Sequence, residues 1–579
     1  MKFSKLRELD SSRQMVDTFR GYNHNLRISD GEFFDMKNMT SDYYPVLSPR
    51  KKRGVYASPD SPTGMIAKDA LCYVDGTNFV INEYPIDMGL NDEPKQLISM
   101  GAYVIIMPDK KWINTLDTTE FGDIEASYTS SSDVTFTLCT ADGADYENMT
   151  VSAEEPKDPE NMALWIDTSS TPHALKQYSS TSSMWVQIAT TYVKISSPGI
   201  GKAFSQYDGV TISGIKDEDL QDLNASMVIW DKGDDYIVVV GVLDAVTNQT
   251  VDEGAIKVER RMPNLDFITE SENRLWGCKY GISADGEVVN EIYASKLGDF
   301  KNWNCFMGLA TDSYAASCGT DGQFTGAITH MGYPLFFKEN CVHKVYGNYP
   351  ANFQIQTTAC RGVQKGCDKS LAIVNEVLYY KARSGICAYD GSLPTEVSYA
   401  LSNEAYSDAV GGGHGNKYYV SMKDVTGGWN LFVYDTAKSM WHKEDNLQAD
   451  SFCSCRNELY AISKGKIITM LGSGDQHEGD LEWMVQTGEI GISSPDMKYI
   501  SRLTVRMAMD IGSEVRFYAQ YDFCDAWELL FVLRSDNLRS FSIPIRPKRC
   551  DHMKIRIEGD GMTKIYSITK TIEQGSELS

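Results

Sequence analysis

Residues 333–347, YPLFFKENCVHKVYG, decide the fold class of this chain. An apolar run leads into a short polar turn, and a second run with alternating apolar and polar residues follows, which is the pattern of a β-hairpin. Related hairpins recur as NRLWGCKY (273–280), EVLYYKARSGICAYDG (376–391), NKYYVSMKD (416–424) and NELYAISKGKIITML (457–471). The stretch is therefore one copy of a repeated unit.

The spacing of these hairpins predicts a β-propeller. With Trp276, Leu335, Tyr379, Tyr418 and Leu459 as reference positions, the steps are 59, 44, 39 and 41 residues. A repeat of about 40–45 residues with four short strands is typical of a propeller blade. Two earlier hairpins, 70–82 and 102–114, raise the expected count to about six or seven blades.

The remaining segments differ from the hairpins in composition and in residue pattern, so we expect the chain to have four regions. Residues 1–60 are polar and rich in turns and are interpreted as an N-terminal arm that serves as a docking interface. The propeller takes 61–114 plus 262–480. Residues 115–261 form an acidic β-rich, β-sandwich-like insertion. Residues 481–579 alternate apolar and polar positions and predict a C-terminal antiparallel β-sandwich. The whole chain is predicted to be mainly β.

Charge is distributed unevenly along the chain. The formal net charge is −24, and residues 115–260 hold 25 acidic and 8 basic residues, a net charge of −17. So acidic a chain is not expected to bind nucleic acid or anionic membranes tightly, because both need Lys and Arg. In the turn-rich stretches of the insertion the acidic residues fall into three clusters. The first acidic cluster is Glu154, Glu155, Asp158 and Glu160; the second is Asp217, Glu218, Asp219 and Asp222; the third is Asp231, Asp234 and Asp235.

The N-terminal region ends in a basic run, Arg50, Lys51, Lys52 and Arg53. A solvated surface patch is the simpler interpretation of this run, and a docking contact for another protein is the alternative.

Motifs that would indicate catalysis, a cofactor or a metal are missing from the sequence. HExxH, GxSxG and P-loop patterns do not occur. The glycine run GGGHG at 411–415 precedes a strand and not a helix, so we interpret it as a turn between blade strands and not as a phosphate site. Cys360 with Cys367, and Cys453 with Cys455, lack the second pair that zinc sites use. We therefore expect no catalytic residues, no cofactor and no metal.

Thirteen cysteines at irregular spacings do not resemble a secreted disulfide framework, so we expect most of them to be reduced thiols in a reducing compartment. The first residues lack the apolar core of a signal peptide, and no uncharged apolar run approaches 18 residues. We therefore expect neither export nor insertion of this chain into a membrane.

Several stretches resemble nozzle proteins of short-tailed bacteriophages, which are also called tail tubular protein B-like or tail hub proteins. The similar stretches are EIYASKLGDFKNW (291–303), TDSYAASCGTDG (311–322), KENCVHKVYG (338–347), GVQKG (362–366), SLAIVNEVLYYKARSGICAYDG (370–391), DGEFFDMKNMTSDYYPVLSPR (30–50) and SIPIRPKRCDHMKIRIEGDG (542–561). The resemblance as a whole extends over about two thirds of the chain.

The resemblance implies a structural, non-enzymatic protein of the virion tail that assembles in the host bacterial cytoplasm. It implies a homo-oligomeric ring, commonly a hexamer, that lines the channel for DNA ejection. The implied partners are further copies of the chain, a tail adaptor, tail fibre or needle proteins, and transiting genomic DNA that is not tightly bound. The three acidic clusters would then line the channel and repel phosphates, although the same residues could equally face solvent.

Two alternatives stay open at this stage. Another phage neck, baseplate or receptor-binding structural protein would have a related architecture. A carbohydrate-active or carbohydrate-binding propeller is the third possibility, because some propellers are glycosidases, and these use two carboxylates about 5–9.5 Å apart.

Overall fold

A computed structural model describes residues 11–146, 148–283, 286–474, 476–493, 496–522, 524–534 and 538–574 of the chain. Strands account for nearly all of its regular structure, which confirms the prediction of a mainly β protein. The helices among these residues are five short 3-10 helices: Glu218–Leu223, Val251–Glu253, Pro350–Asn352, Asp368–Ser370 and Tyr399–Leu401. None of these is long and apolar enough to cross a membrane.

The chain divides into two compact units. Unit 1 contains Met1–Pro94, Phe337–Val342 and Thr358–Ser579. Unit 2 contains Lys95–Phe336 and His343–Thr357.

Within the described residues, the seven sheets that contain the repeated hairpins each have at least four strands hydrogen-bonded side by side, and we number them repeat sheets 1 to 7 in chain order. Four lie in unit 1. Repeat sheet 1 is Pro62–Ala67, Leu71–Asp75, Asn78–Ile81 and Tyr84–Asp87; repeat sheet 5 is Ala372–Val374, Val377–Ala382, Gly385–Tyr389 and Thr395–Glu396; repeat sheet 6 is Tyr406–His414, Lys417–Asp424, Trp429–Asp435 and Met440–Lys443; repeat sheet 7 is Ser451–Cys455, Glu458–Ser463, Lys466–Thr469 and Gly54–Ala57.

The other three repeat sheets belong mainly to unit 2. Repeat sheet 2 is Gln96–Met100, Tyr103–Met107, Lys111–Asn114 and Phe121–Asp123; repeat sheet 3 is Phe267–Ser271, Arg274–Ile282, Val288–Ala294 and Tyr314–Ser317; repeat sheet 4 is Gly326–His330, Tyr333–Lys338, Cys341–Tyr346 and Gln354–Ala359. The boundary between the units passes through repeat sheet 4, because Phe337–Val342 is grouped with unit 1.

The five reference residues of the sequence repeat all lie in the second strand of a repeat sheet. Trp276, Leu335, Tyr379, Tyr418 and Leu459 occupy sheets 3 to 7 in order, and all five are buried. The Tyr379 and Tyr418 rings stack with centroids 5.4 Å apart, so aromatic side chains pack between neighbouring repeat sheets in unit 1. The repeated hairpin predicted from the sequence is confirmed.

Six of the seven repeat sheets begin with a two-residue hairpin turn, and in sheets 3 and 5 both turn residues are non-glycine residues with positive φ. Glu272 and Asn273 join the first two strands of sheet 3, and Asn375 and Glu376 do so in sheet 5. All four have positive φ, between 48° and 66°. Such turns match the twist of the paired strands, and Asn tolerates this conformation better than most residues.

Only Gly415 of the glycine run at 411–415 lies in a turn, which corrects the prediction for the other residues. Residues 411–414 belong to the first strand of repeat sheet 6, Tyr406–His414. A Cβ atom added to Gly411 would lie 2.6 Å from the Ser370 carbonyl oxygen, and one added to Gly413 would lie 2.7 Å from Val374 Cγ2. At Gly412 it would collide with Phe452, in the first strand of repeat sheet 7. Glycine therefore permits the close approach of first strands within unit 1.

We expect Gly412→Ala to destabilise the protein by about 1–3 kcal/mol, because the added methyl group overpacks the contact with Phe452. Urea unfolding measures this loss. Gly479→Ala is the matched control, since nothing lies within 4 Å of a Cβ atom at that position and its φ is not in the left-handed region. Equal stability of the two variants would refute the steric account.

Three sheets occupy the region predicted as an insertion. They consist of Ala126–Thr129, Lys257–Arg260, Gly209–Ser213 and Ser226–Val228; Asp231–Lys232, Tyr236–Val240, Tyr192–Ser196, Val134–Cys139 and Thr247–Gln249; and Met149–Ser152, Leu164–Asp167, Ala174–Ser179 and Met184–Gln187. One hydrophobic cluster, drawn from residues 134–258, fills this region. A separate cluster, drawn from 98–124 and 262–303, joins repeat sheets 2 and 3.

The C-terminal region contributes two further sheets of unit 1, and the N-terminal region is built into them. One sheet is Ser11–Val16, Thr563–Gln574, Lys498–Met509 and Arg539–Ile543; the other is Asp35–Lys37, Glu482–Gln486, Met553–Asp560, Glu514–Tyr521 and Glu528–Arg534. Gly21–Tyr22 and Glu32–Phe33 extend repeat sheet 6, Gln476–His477 extends repeat sheet 7, and Met39–Thr40 pairs with Ser48–Pro49. The described part of the predicted arm is thus integrated into unit 1. The predicted domain boundaries themselves stay predictions.

Two members of the basic run lie inside unit 1. Arg50 and Arg53 are only 5% and 3% exposed. Arg53 binds Asp445 through Nη1 at 2.7 Å and Glu444 through Nη2 at 2.7 Å. Arg50 binds Glu478 through Nη1 at 2.7 Å. The docking role predicted for the run is therefore corrected for these two arginines, whose charges are already paired inside the fold.

Lys51 and Lys52 are exposed, and for them the docking role stays a prediction. All thirteen cysteines are free thiols, and most of them are buried.

Candidate functional site

A cleft lies in unit 2, where the chain enters and leaves the insertion. The entering strand Ala126–Thr129 and the leaving strand Lys257–Arg260 pair antiparallel, with Ala126 opposite Arg260. Beside them opens a cleft of about 810 Å³, bordered also by residues of repeat sheets 2 and 3, which we call the charged cleft. Its volume falls within the range of about 300–1,000 Å³ typical of ligand sites.

A buried arginine fixes one wall of the charged cleft. The Arg260 Nε donates to the Ile124 carbonyl oxygen at 3.1 Å, and its guanidinium forms an ion pair with Asp208. Asn302 donates from Nδ2 to the same carboxylate at 2.9 Å and accepts from the Gly209 N–H at 2.8 Å. These contacts satisfy the buried charges, so we assign this group a structural role.

The entrance is edged by a second set of ion pairs. Lys110 Nζ lies 2.7 Å from Glu125 Oε1 and donates to the Met262 carbonyl oxygen at 3.0 Å, while the Met262 N–H donates back to Glu125 at 3.0 Å. Lys279 Nζ lies 2.7 Å from Asp266 Oδ1. The linker after the insertion is thereby held against the end of repeat sheet 2.

Glu259 is the carboxylate with the most distinctive surroundings. It lies between two cations, with Oε1 2.9 Å from Lys257 Nζ and Oε2 2.5 Å from Arg261 Nη2. Burial alone would raise its pKa, but the hydrogen bonds and charges of Lys257 and Arg261 outweigh burial and hold the pKa of Glu259 below its ordinary value. Glu259 is therefore an anion at neutral pH.

Aromatic side chains complete the lining. Tyr293 is half-buried and donates its hydroxyl to Glu291, and burial together with this bond raises the pKa of Tyr293. Trp303 is buried, with its indole N–H donated to the Phe300 carbonyl oxygen at 2.9 Å. Glu259 and Tyr293 both titrate away from neutral pH, whereas a general acid or base works best near it. Neither Glu259 nor Tyr293 is therefore set up as a general acid or base near neutral pH.

The lining of the charged cleft is balanced in charge. Four acidic and four basic side chains line it: Asp109, Asp123, Glu125, Glu259, Lys110, Arg260, Arg261 and Lys279. Each has an oppositely charged partner, including Lys111 for Asp123 at 2.8 Å and the buried Lys95 for Asp109 at 2.6 Å. A charged ligand would compete with one of these pairs, and a neutral polar ligand would not.

These residues were not singled out in the sequence. Their one signal is that a basic pair lies near each end of the acidic insertion, Lys110 with Lys111 before its start and Arg260 with Arg261 at its end. The pairs are separated by about 150 residues of chain, and only the pairing of the entering and leaving strands brings them together.

The first and second acidic clusters lie on the surface of the insertion. Glu154, Glu155, Asp158 and Glu160 are exposed in the connection between Met149–Ser152 and Leu164–Asp167. In the second cluster Glu218, Asp219 and Asp222 are exposed, and the half-buried Asp217 caps the 3-10 helix by accepting from the Asp219 N–H at 2.9 Å.

The third acidic cluster lies partly in local hydrogen bonds. Asp231 is half-buried and accepts from the Tyr236 hydroxyl at 3.1 Å, while Asp235 accepts from the Gly199 N–H at 2.7 Å. Asp234 and Asp235 are exposed. The channel-lining role of the three clusters stays a prediction. Across the parts of the chain that the structure describes, no group of three or more His, Cys, Asp or Glu is placed to hold a metal ion.

No protein-family model matches the sequence, and no curated protein matches it. Solved structures do match parts of the fold. An exo-β-1,3-galactanase from Phanerochaete chrysosporium is 8% identical, with 52% of this chain and 95% of that chain covered at a TM-score of 0.21. An acylaminoacyl peptidase from Pyrococcus horikoshii is 10% identical, with 54% and 55% covered at 0.23. A family 43 arabinoxylan arabinofuranohydrolase from Bacillus subtilis is 8% identical, with 54% and 95% covered at 0.19.

These matches correct two predictions from the sequence. The matched structures are enzymes, which contradicts both the structural role in a phage tail and the absence of enzymatic activity, and neither prediction is carried forward. The TM-scores are nevertheless too low for the likeness to argue for a hydrolase activity of this chain. The resemblance to nozzle proteins, the predicted partners and the virion location are tested by none of these findings and stay predictions.

Proposed function

We propose that this chain is an oligosaccharide-binding protein and that the charged cleft in unit 2 is its binding site. The observation that carries the proposal is the charge balance of the lining, where each carboxylate and each cation has a partner. The ligand that fits is neutral and rich in hydroxyl groups.

The reason lies in the chemistry of the hydroxyl group. A hydroxyl donates one hydrogen bond and accepts others, so it can bridge the two members of an ion pair without separating them. Glu259 with Arg261 offers such a pair, since the Arg261 side chain is 56% exposed and Glu259 remains ionised. Tyr293 adds a half-buried ring on which an apolar face of a sugar can pack.

We propose further that the seven repeat sheets are the blades of a seven-bladed propeller. One support is that each repeat sheet contains four strands side by side. The other is that Gly54–Ala57, which precedes repeat sheet 1 in the chain, pairs with Lys466–Thr469 and so supplies the fourth strand of repeat sheet 7. In propellers such a strand closes the ring by joining the first and last parts of the repeat. The alternating burial of Met553–Asp560 and Glu514–Tyr521 supports a C-terminal β-sandwich. The insertion has a hydrophobic cluster of its own, as a sandwich-like region would.

Binding is tested with a panel of neutral gluco-, galacto-, xylo- and manno-oligosaccharides, measured by isothermal titration calorimetry on the full chain. We expect Arg261→Met to weaken the best binder about tenfold or more, because a hydrogen bond to a charged group contributes about 1.5–3 kcal/mol. Arg383→Met is the matched control, as Arg383 is an exposed arginine of unit 1. Failure of every sugar to bind, or an equal effect of both substitutions, would reject the proposal.

A further inference from the structure

We propose that the edge strand Met184–Gln187 of the insertion pairs antiparallel with the same strand of a second copy of this chain. The strand is the last of its four-stranded sheet, next to Ala174–Ser179. On its other side, no strand is paired with it among the described residues. An open strand edge is a template for another strand.

The backbone of this edge is set up for such pairing. The Ile188 N–H donates to the Leu175 carbonyl oxygen at 2.9 Å, so Ile188 directs its hydrogen bonds into the sheet. The direction alternates along an antiparallel strand, so Val186 and Met184 also point into the sheet. Trp185 and Gln187 then direct their N–H and C=O groups outward, toward an incoming strand.

Two of the three exposed side chains along this edge are apolar. Met184 is 64% exposed and Val186 is 54% exposed, and both lie on one face of the sheet. On the opposite face Trp185 packs edge-on against Trp165 and Tyr178, with ring centroids 5.3 and 5.4 Å away. The Trp185 indole N–H has no hydrogen-bond partner among the described residues. Covering this edge would remove apolar surface from water.

Charge favours a second copy as the occupant. The chain carries −24, so two copies repel one another over most of their surface. Residues 177–193, which include the edge strand, contain no Asp, Glu, Lys, Arg or His, and this is the longest such stretch in the chain. Two copies can approach here with the least repulsion.

A two-fold pairing centred on Trp185 meets all of these requirements. Trp185 lies opposite itself, so the outward N–H and C=O of each copy bond to those of the other. Met184 of one copy then lies opposite Val186 of the other, on the same face, so apolar side chains meet. The contact area is small, and a weak dimer that forms as the concentration rises is expected.

Sedimentation velocity of the full chain over a hundredfold range of concentration tests the proposal. The parent protein is expected to shift from monomer to dimer. Val186→Lys places like charges in the contact between the two edge strands. Gln187→Pro removes an N–H that points away from the sheet and that the sheet itself does not use. Both variants are expected to remain monomeric at concentrations where the parent is mainly dimeric.

Val251→Lys is the matched control, because Val251 is 47% exposed in the same insertion and lies in a 3-10 helix away from this strand; it is expected to dimerise like the parent. Circular dichroism of each variant checks folding, and Gln187→Pro decides the question if Val186→Lys does not fold. A parent that stays monomeric throughout, or a dimer that survives both substitutions, would overturn the proposal.

Discussion

Replacing Arg53 by methionine is expected to destabilise the protein by about 3–5 kcal/mol, because it leaves the buried Glu444 and Asp445 with only the more distant Arg50 as a counter-charge. The Arg53 side chain is 4% exposed, and its partners Glu444 and Asp445 are 7% and 17% exposed. The loss is measured as the free energy of unfolding in urea. Lys52→Met, one position away on an exposed residue, should leave that free energy nearly unchanged.

The same network predicts a dependence of stability on pH. Burial would raise the pKa of Asp445, but the charge and hydrogen bonds of Arg53 outweigh it, so the pKa is lowered. Burial would likewise raise the pKa of Glu478, but the hydrogen bond and charge of Arg50 lower it. A carboxylate with a lowered pKa contributes stability above its ordinary value, about 4, and loses it as the pH falls through the folded value.

In Arg53→Met, burial acts on Asp445 with only Arg50, 3.4 Å away, to oppose it, so its pKa rises and stability should begin to fall at a higher pH than in the parent. Urea unfolding at a series of pH values measures this difference. Parallel pH profiles for the parent and the variant would contradict the assigned pairing.

Excising residues 127–259 is expected to abolish oligosaccharide binding while leaving a cooperatively folded protein. Ala126 and Arg260 lie opposite one another in paired strands, so a short Gly/Ser linker can bridge them. The hydrophobic cluster of the insertion uses residues 134–258, and the cluster that joins repeat sheets 2 and 3 uses none of them. The excision removes Glu259 and one wall of the charged cleft.

Thermal melting and calorimetric titration of the excised protein provide the two readouts. Arg261→Met serves as the companion variant, since it should weaken binding without removing the insertion. A product that aggregates or melts without cooperativity would show that the two clusters depend on one another.

Local patterns were predictable from the sequence, and contacts between distant segments were not. The strand pattern around Tyr379 and around Tyr418 spans only a few residues of sequence. Both residues were correctly assigned to repeated hairpins. Arg50 and Arg53 looked like a surface run because their partners near residue 445 are almost 400 residues away.

The charged cleft was missed for the same reason. Its walls come from Glu125 and Arg261, which are far apart in the chain, and their residue types match no catalytic or metal-binding motif. The glycines at 411–413 were misread because their close contacts with Ser370, Phe452 and Val374 arise only from packing between sheets.

Backbone hydrogen exchange of the full chain, with and without a saturating concentration of the best-binding neutral oligosaccharide, tests the central claim most directly. If the charged cleft is the binding site, exchange should slow in residues 121–127 and 257–264, which form its walls. Protection confined to other segments, or no change in exchange while the sugar is bound, would contradict the assignment.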